Sequence, residues 1–127
     1  MQDKVTFEYA IIRLVPKVER EEFFNVGVIL FSKRKKFLGI KYHINADKLK
    51  ALAPELELEF INDYLNAWKL ICEGKASGGK IGEFEVSDRF RWLAACRSTI
   101  IQSSKTHPGL CENPEAELED IFNKYVL

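Results

Sequence analysis

Apolar, aromatic and β-branched residues, partly alternating with polar ones, fill residues 6–15 (T-F-E-Y-A-I-I-R-L-V), and Pro16 stops the run. That pattern predicts a β-strand. A more continuous apolar run over 23–32 (F-F-N-V-G-V-I-L-F-S) predicts a second, more buried strand, in which Gly27 points to a bulge or a close backbone approach. Lys33, Arg34, Lys35 and Lys36 make a basic, solvated turn into a third strand over 37–43, so the last two strands form a hairpin. Asn45 suits the N-cap of a short helix that Pro54 ends. Between 55 and 73, Leu56, Phe60, Ile61, Tyr64, Leu65, Trp68 and Ile71 recur at spacings of three and four, the signature of an amphipathic helix. The glycine-containing stretch 74–80 predicts a surface loop. Ser87 suits the cap of a helical turn over 88–95, which Phe90 and Leu93 anchor in the core, and 98–104 (S-T-I-I-Q-S-S) predicts a strand. Pro108-Gly109 predicts a turn. Asn113 and Pro114 begin a final helix whose apolar side is Ala116, Leu118, Ile121, Phe122, Tyr125 and Val126.

These elements predict an α+β fold: a small antiparallel sheet of about four strands, covered by the 55–73 and 114–127 helices. A chain of 127 residues is long enough for one hydrophobic core and too short for two, so residues 1–127 are expected to form a single domain. Nineteen basic and nineteen acidic side chains cancel, which removes any global attraction to nucleic acid or an anionic membrane. The distribution is uneven. Residues 1–44 carry nine basic against five acidic groups, whereas 112–127 carry one against five. The N-terminal residues Met1-Gln2-Asp3-Lys4 open with mixed charges and no apolar run, so a signal peptide or membrane span is not expected and the location is read as cytoplasmic. Cys72, Cys96 and Cys111 are odd in number and unpaired in spacing, which predicts reduced thiols rather than a disulfide framework or zinc site.

Two segments carry a family resemblance. Arg13-Leu14-Val15-Pro16 leads to Arg20-Glu21-Glu22-Phe23-Phe24-Asn25-Val26-Gly27-Val28. Later come Arg89-Phe90-Arg91-Trp92-Leu93, Arg97-Ser98-Thr99 and His107-Pro108-Gly109-Leu110-Cys111. In this order the chain resembles the bacterial family catalogued as domain of unknown function 3037. The family pattern often has Pro before the arginine where this chain has Cys96, which argues against a family-wide role for that thiol. The resemblance implies an association with HipA-like kinases, beside which family members are encoded.

Among candidate sites, Arg13, Arg20, Arg89, Arg91 and Arg97 beside Ser98 and Thr99 supply guanidinium forks and hydroxyl donors that suit a phosphate or carboxylate. The competing expectation is that these arginines pair with Glu8, Glu19, Glu21, Glu22 or Asp88. Glu22 and Asn25 place a carboxylate and an amide near Arg20, an arrangement that would serve acid/base work in a cleft and otherwise fastens a turn. His107 and Cys111 would serve as a base and a thiolate nucleophile only if the chain brought them together. Phe90 and Trp92 between arginines invite comparison with base-stacking surfaces, while Gly78-Gly79-Lys80 lacks the spacing of a phosphate loop. His43, His107 and the cysteines lack metal-ligand spacing, so no metal or cofactor is expected. The leading functional reading is a non-catalytic accessory module that binds another protein, a HipA-like kinase being the partner implied by the resemblance. The alternatives are an anion, nucleotide or nucleic-acid binder using the arginines, and a small hydrolase or transferase using His107 with Cys111 or Glu22.

Overall fold

In the computed structural model, which describes residues 4–74, 78–95 and 100–127, the first long apolar run becomes the organising strand. This strand, β1 (Val5–Leu14), pairs antiparallel with β2 (Phe24–Ser32), and β2 pairs with β3 (Phe37–Tyr42). On its other side β1 pairs with two short strands in succession, β4 (Ile101–Ser103) at its C-terminal end and β5 (His107–Cys111) at its N-terminal end. The result is a five-stranded antiparallel sheet with β3 at one edge and β4 and β5 sharing the other.

β5 corrects the expected Pro108-Gly109 turn. The Cα partners are Tyr9 with His107, Phe7 with Gly109 and Val5 with Cys111, so Pro108 lies at an outer position where a missing N–H breaks no ladder bond. Gly109 is needed there, since a Cβ would sit 2.5 Å from the Phe7 ring. β4 is shorter than the predicted strand over 98–104; residues 98 and 99 lie outside the described residues.

The helices are α1 (Ala46–Leu52), α2 (Leu58–Glu73), α3 (Gly79–Gly82), α4 (Val86–Ala94) and α5 (Pro114–Tyr125). Asn45 and Asn113 cap α1 and α5 as expected, each side chain accepting from two backbone N–H groups of the first turn. The cap of α4 is Glu85 rather than Ser87, and α3 occupies part of the stretch expected to be a loop.

Alternation along the strands splits the core into two layers. Ala10, Ile12, Leu14, Val26, Ile29 and Phe31 face Ile61, Leu65 and Trp68 of α2 and Phe90 and Leu93 of α4. Phe90 and Leu93 are fully buried, and the Phe90 ring stacks on Phe31 at 5.1 Å. On the other face, Val5, Phe7, Ile11, Val28, Leu30 and Cys111 meet Leu118, Ile121 and Phe122 of α5. A bulge interrupts β1–β2, where Ile12 partners Gly27 but Arg13 partners Asn25. Leu14, Ile12 and Ala10 share the α2 face, so Arg13 projects on the α5 face.

No helix among the described residues is long and apolar enough to cross a membrane.

Candidate functional site

The arginines singled out from the sequence occupy separate places. Arg89, on α4, points at the C-terminal end of α2. Its Nη1 donates to the carbonyls of Ile71 and Cys72 at 2.9 and 2.8 Å, and its Nε donates to Phe84 O at 3.0 Å. The Ile71 and Cys72 carbonyls belong to the last turn of α2, whose carbonyls lack the usual partner four residues on; Ile71 O also accepts the Gly74 N–H at 3.1 Å. Arg91, two residues on, makes a fork with Glu8 of β1, Nη1–Oε1 3.0 Å and Nη2–Oε2 2.7 Å, and these hydrogen bonds raise its already high pKa against the opposing effect of burial. Arg20 pairs with Glu22 at 2.7 Å on the exposed approach to β2. Arg97, Ser98 and Thr99, like Cys96, lie outside the described residues.

Arg13 differs from its three described counterparts. Its guanidinium lies 4.3 Å from the centre of the Phe23 ring, and its Nε is buried without a hydrogen-bond partner among the described residues. A ring face satisfies part of the charge but accepts no directed hydrogen bond comparable to that of a carboxylate. Beside it, Asn25 Nδ2 donates to Tyr125 O at 3.1 Å, tying the bulge to the last turn of α5. Two positions before Ile11 on the same face, Tyr9 packs against His107 of β5, ring centres 5.2 Å apart. The Tyr9 hydroxyl is held above its ordinary pKa, first by burial and then by Tyr125 and Glu117.

Tyr9, Arg13, Asn25 and His107 therefore share one face of the sheet, beyond the part that α5 covers. Phe23 and Tyr125, 46% and 47% exposed, flank it. The surface joins one cation, amide and phenol hydrogen-bonding groups, an imidazole and open aromatic area. Sequence reasoning named Arg13, Asn25 and His107 but missed Tyr9, Phe23 and Tyr125 as parts of a site. The alternation of Tyr9 with Ile11 and Arg13 was the signal for the first of these; pairing of β5 with β1, which no local pattern showed, was needed to add His107.

The catalytic alternative is not assembled. His107 and Cys111 sit at opposite ends of one strand, about 14 Å apart along it. Burial raises the Cys111 thiol pKa, opposite to what a thiolate nucleophile needs. Glu22 is no closer to His107: it precedes Phe24, the partner of Leu14, while His107 partners Tyr9 five residues back along β1. That spacing is about 17 Å.

Two recesses adjoin these residues without uniting them. One of about 40 Å³, little more than a water, lies between Pro16, Lys17, Arg20, Glu22 and Leu52. A broad one of about 450 Å³ lies at the far end of β5, where Glu112, Glu117 and Asp120 outnumber Lys4. Its acidic lining is the reverse of the expected anion site. Among the described residues no group of three metal-ligating side chains forms.

Comparison with known proteins gives one match: the family described as "Protein of unknown function (DUF3037)" aligns with residues 9–126, nearly the whole chain. No curated protein and no solved structure matches.

Proposed function

The chain belongs to the DUF3037 family, and on that premise we propose that it is a non-catalytic module that docks a partner protein on the surface around Arg13. The observation that carries this reading is the Arg13 guanidinium, laid on Phe23 with its Nε desolvated and lacking an acceptor among the described residues. Such a group is costly to leave incomplete, and a partner's carboxylate pairing with the outer part of the same guanidinium would offset that cost. Arginine, tyrosine and phenylalanine are the side chains enriched at the centres of protein interfaces. A HipA-like kinase, the partner implied by the family resemblance, is the first to test.

The test is titration of a purified HipA-like kinase from the same cells against the protein and its Arg13→Ala variant, with Lys48→Ala as a control on exposed α1. Binding weakened at least about tenfold by Arg13→Ala and unchanged by Lys48→Ala is the expected result. Binding indifferent to Arg13→Ala would remove this surface from the interface, and no binding would remove the kinase. Duplex DNA and RNA are titrated in parallel. With Arg89, Arg91 and Arg20 already engaged, a nucleic-acid complex with a steep salt dependence would replace the protein-docking reading by the anion-binding one.

A further inference from the structure

The sheet has an open edge with its own walls. His43 N donates to Val26 O, and in an antiparallel ladder such bonds recur at every second residue. With Lys41 opposite Val28 and Gly39 opposite Leu30, the residues of β3 that bond to β2 are Phe37, Gly39 and Lys41. The N–H and C=O groups of Leu38, Ile40 and Tyr42 therefore point away from the sheet. β3 ends the strand order, so no strand among the described residues takes these groups.

Helices flank this edge on both faces. One recess, of about 350 Å³, runs from Lys69 of α2 across Ile40, Lys41 and Tyr42 to Phe122 of α5; a second, of about 190 Å³, lies between Leu38, Gly39, Ile40 and the α2 residues Lys69, Cys72 and Glu73. The outward backbone groups thus form the floor of a groove walled by α2 and α5. Gly39 keeps it narrow on the α5 side, because a Cβ there would lie 2.9 Å from Leu118 Cδ2.

Charge selects the occupant. Lys69 overhangs both recesses and has no acidic partner among the described residues, whereas Lys41 is already paired with Glu119. The exposed Lys33-Arg34-Lys35-Lys36 turn stands at the start of β3. A second copy of this chain, paired antiparallel about Ile40, would bring Lys69 of both copies to the symmetry axis, where like charges repel. We infer that β3 accepts an extended acidic segment of a partner protein as a sixth strand, in which about five residues pair with Leu38–Tyr42 and alternate carboxylates meet Lys69 and the basic turn. This inference is independent of the Arg13 surface, which is built on β1, the start of β2 and β5 and uses no residue of β3.

The probe is a fluorescein-labelled heptapeptide alternating Glu and Val, with its Lys–Val counterpart as control, measured by anisotropy and by backbone amide exchange. The acidic peptide is expected to bind and to slow exchange at Leu38, Ile40 and Tyr42, while Gly39 and Lys41 stay as they were. Lys69→Glu is expected to weaken binding about tenfold or more. Ile40→Pro removes an outward N–H without touching a β2–β3 bond and is expected to abolish it, with circular dichroism checking the fold. Absence of binding at about 1 mM peptide, equal affinity for both peptides, or binding that leaves the three amides unprotected would overturn the inference. So would a concentration-dependent dimer that protects the same amides without peptide.

Discussion

Arg89 and Arg13 show how differently one residue type is spent within a fold. Arg89 has its donors on carbonyls at 2.8–3.0 Å and closes the end of α2, where Gly74 takes the left-handed conformation (φ 73°). A Cβ on Gly74 would lie 2.8 Å from Arg89 Nη1, so the two residues form one fitted cap. Replacing Arg89 by Ala strands the Cys72 carbonyl in a partly buried position and leaves the Ile71 carbonyl with the Gly74 N–H alone, and the expected loss is about 2 kcal/mol, read as a lower urea midpoint. Lys, with a single ammonium in place of the fork, should recover only part of it. Arg13→Ala removes no carboxylate or backbone partner among the described residues, so its effect should fall on binding more than on the midpoint. The sequence offered Glu8 and Glu22 as partners for the arginines, and Arg91 and Arg20 take them. Which arginine meets which acceptor, and that Arg89 caps α2, was not legible, because a guanidinium carries no local signal of its acceptor. The acceptors of Arg89 at α2 lie 17 and 18 residues away, and the Glu8 that holds Arg91 lies 83 away.

At the scale of elements, the extra residue that β2 carries at the bulge puts Asn25 beside Arg13 on the α5 face, and Gly27 at that point leaves room for the neighbouring strand. A Cβ at Gly27 would sit 2.8 Å from the Lys41 carbonyl oxygen and 3.2 Å from Ile12 Cδ1. The carbonyl belongs to the neighbouring strand and cannot swing aside like a side chain. Gly27→Ala is therefore expected to cost about 1–3 kcal/mol of unfolding free energy in urea titration and to disturb Asn25 and Arg13 amide resonances together. Gly27 announced the bulge because glycine inside an apolar run has few other uses. Asn45, Asn113 and the three- and four-residue spacing of α2 were legible for the same reason: local chemistry dictates a cap and a period. β5 was not, since Pro108-Gly109 ordinarily turns a chain, and only the pairing with β1 makes an outer proline and a glycine under Phe7 suit a strand. The Arg13 surface was half legible on the same logic: β1 and β2 brought Arg13 and Asn25 within local reach, but His107 arrives through a long-range pairing.

For the whole molecule, the buried thiols link the core to pH. Cys72 lies between α2 and the sheet, and burial pushes its pKa up to about 12, with nearby Arg89 lowering it and Glu73 raising it. Cys111, in the other core layer, is raised mainly by burial as well. An unfolded cysteine titrates at about 8.5, so above that pH the unfolded chain gives up a proton that the folded chain retains. The folded state then binds more protons than the unfolded one, and stability must fall as pH rises. The contribution is complete below about pH 8.5, and for Cys72 it is lost progressively up to about pH 12 at roughly 1.4 kcal/mol per pH unit. By pH 10 the loss from Cys72 is about 2 kcal/mol. Urea unfolding under reducing conditions at pH 7.5, 9 and 10 should show the decline. Cys72→Ala should be less stable at pH 7.5 through lost packing and should show a shallower slope above pH 9. Cys72→Ala/Cys111→Ala should flatten the slope further. An unchanged slope in both variants would place the alkaline sensitivity elsewhere, with the raised Tyr9 hydroxyl the next group to replace.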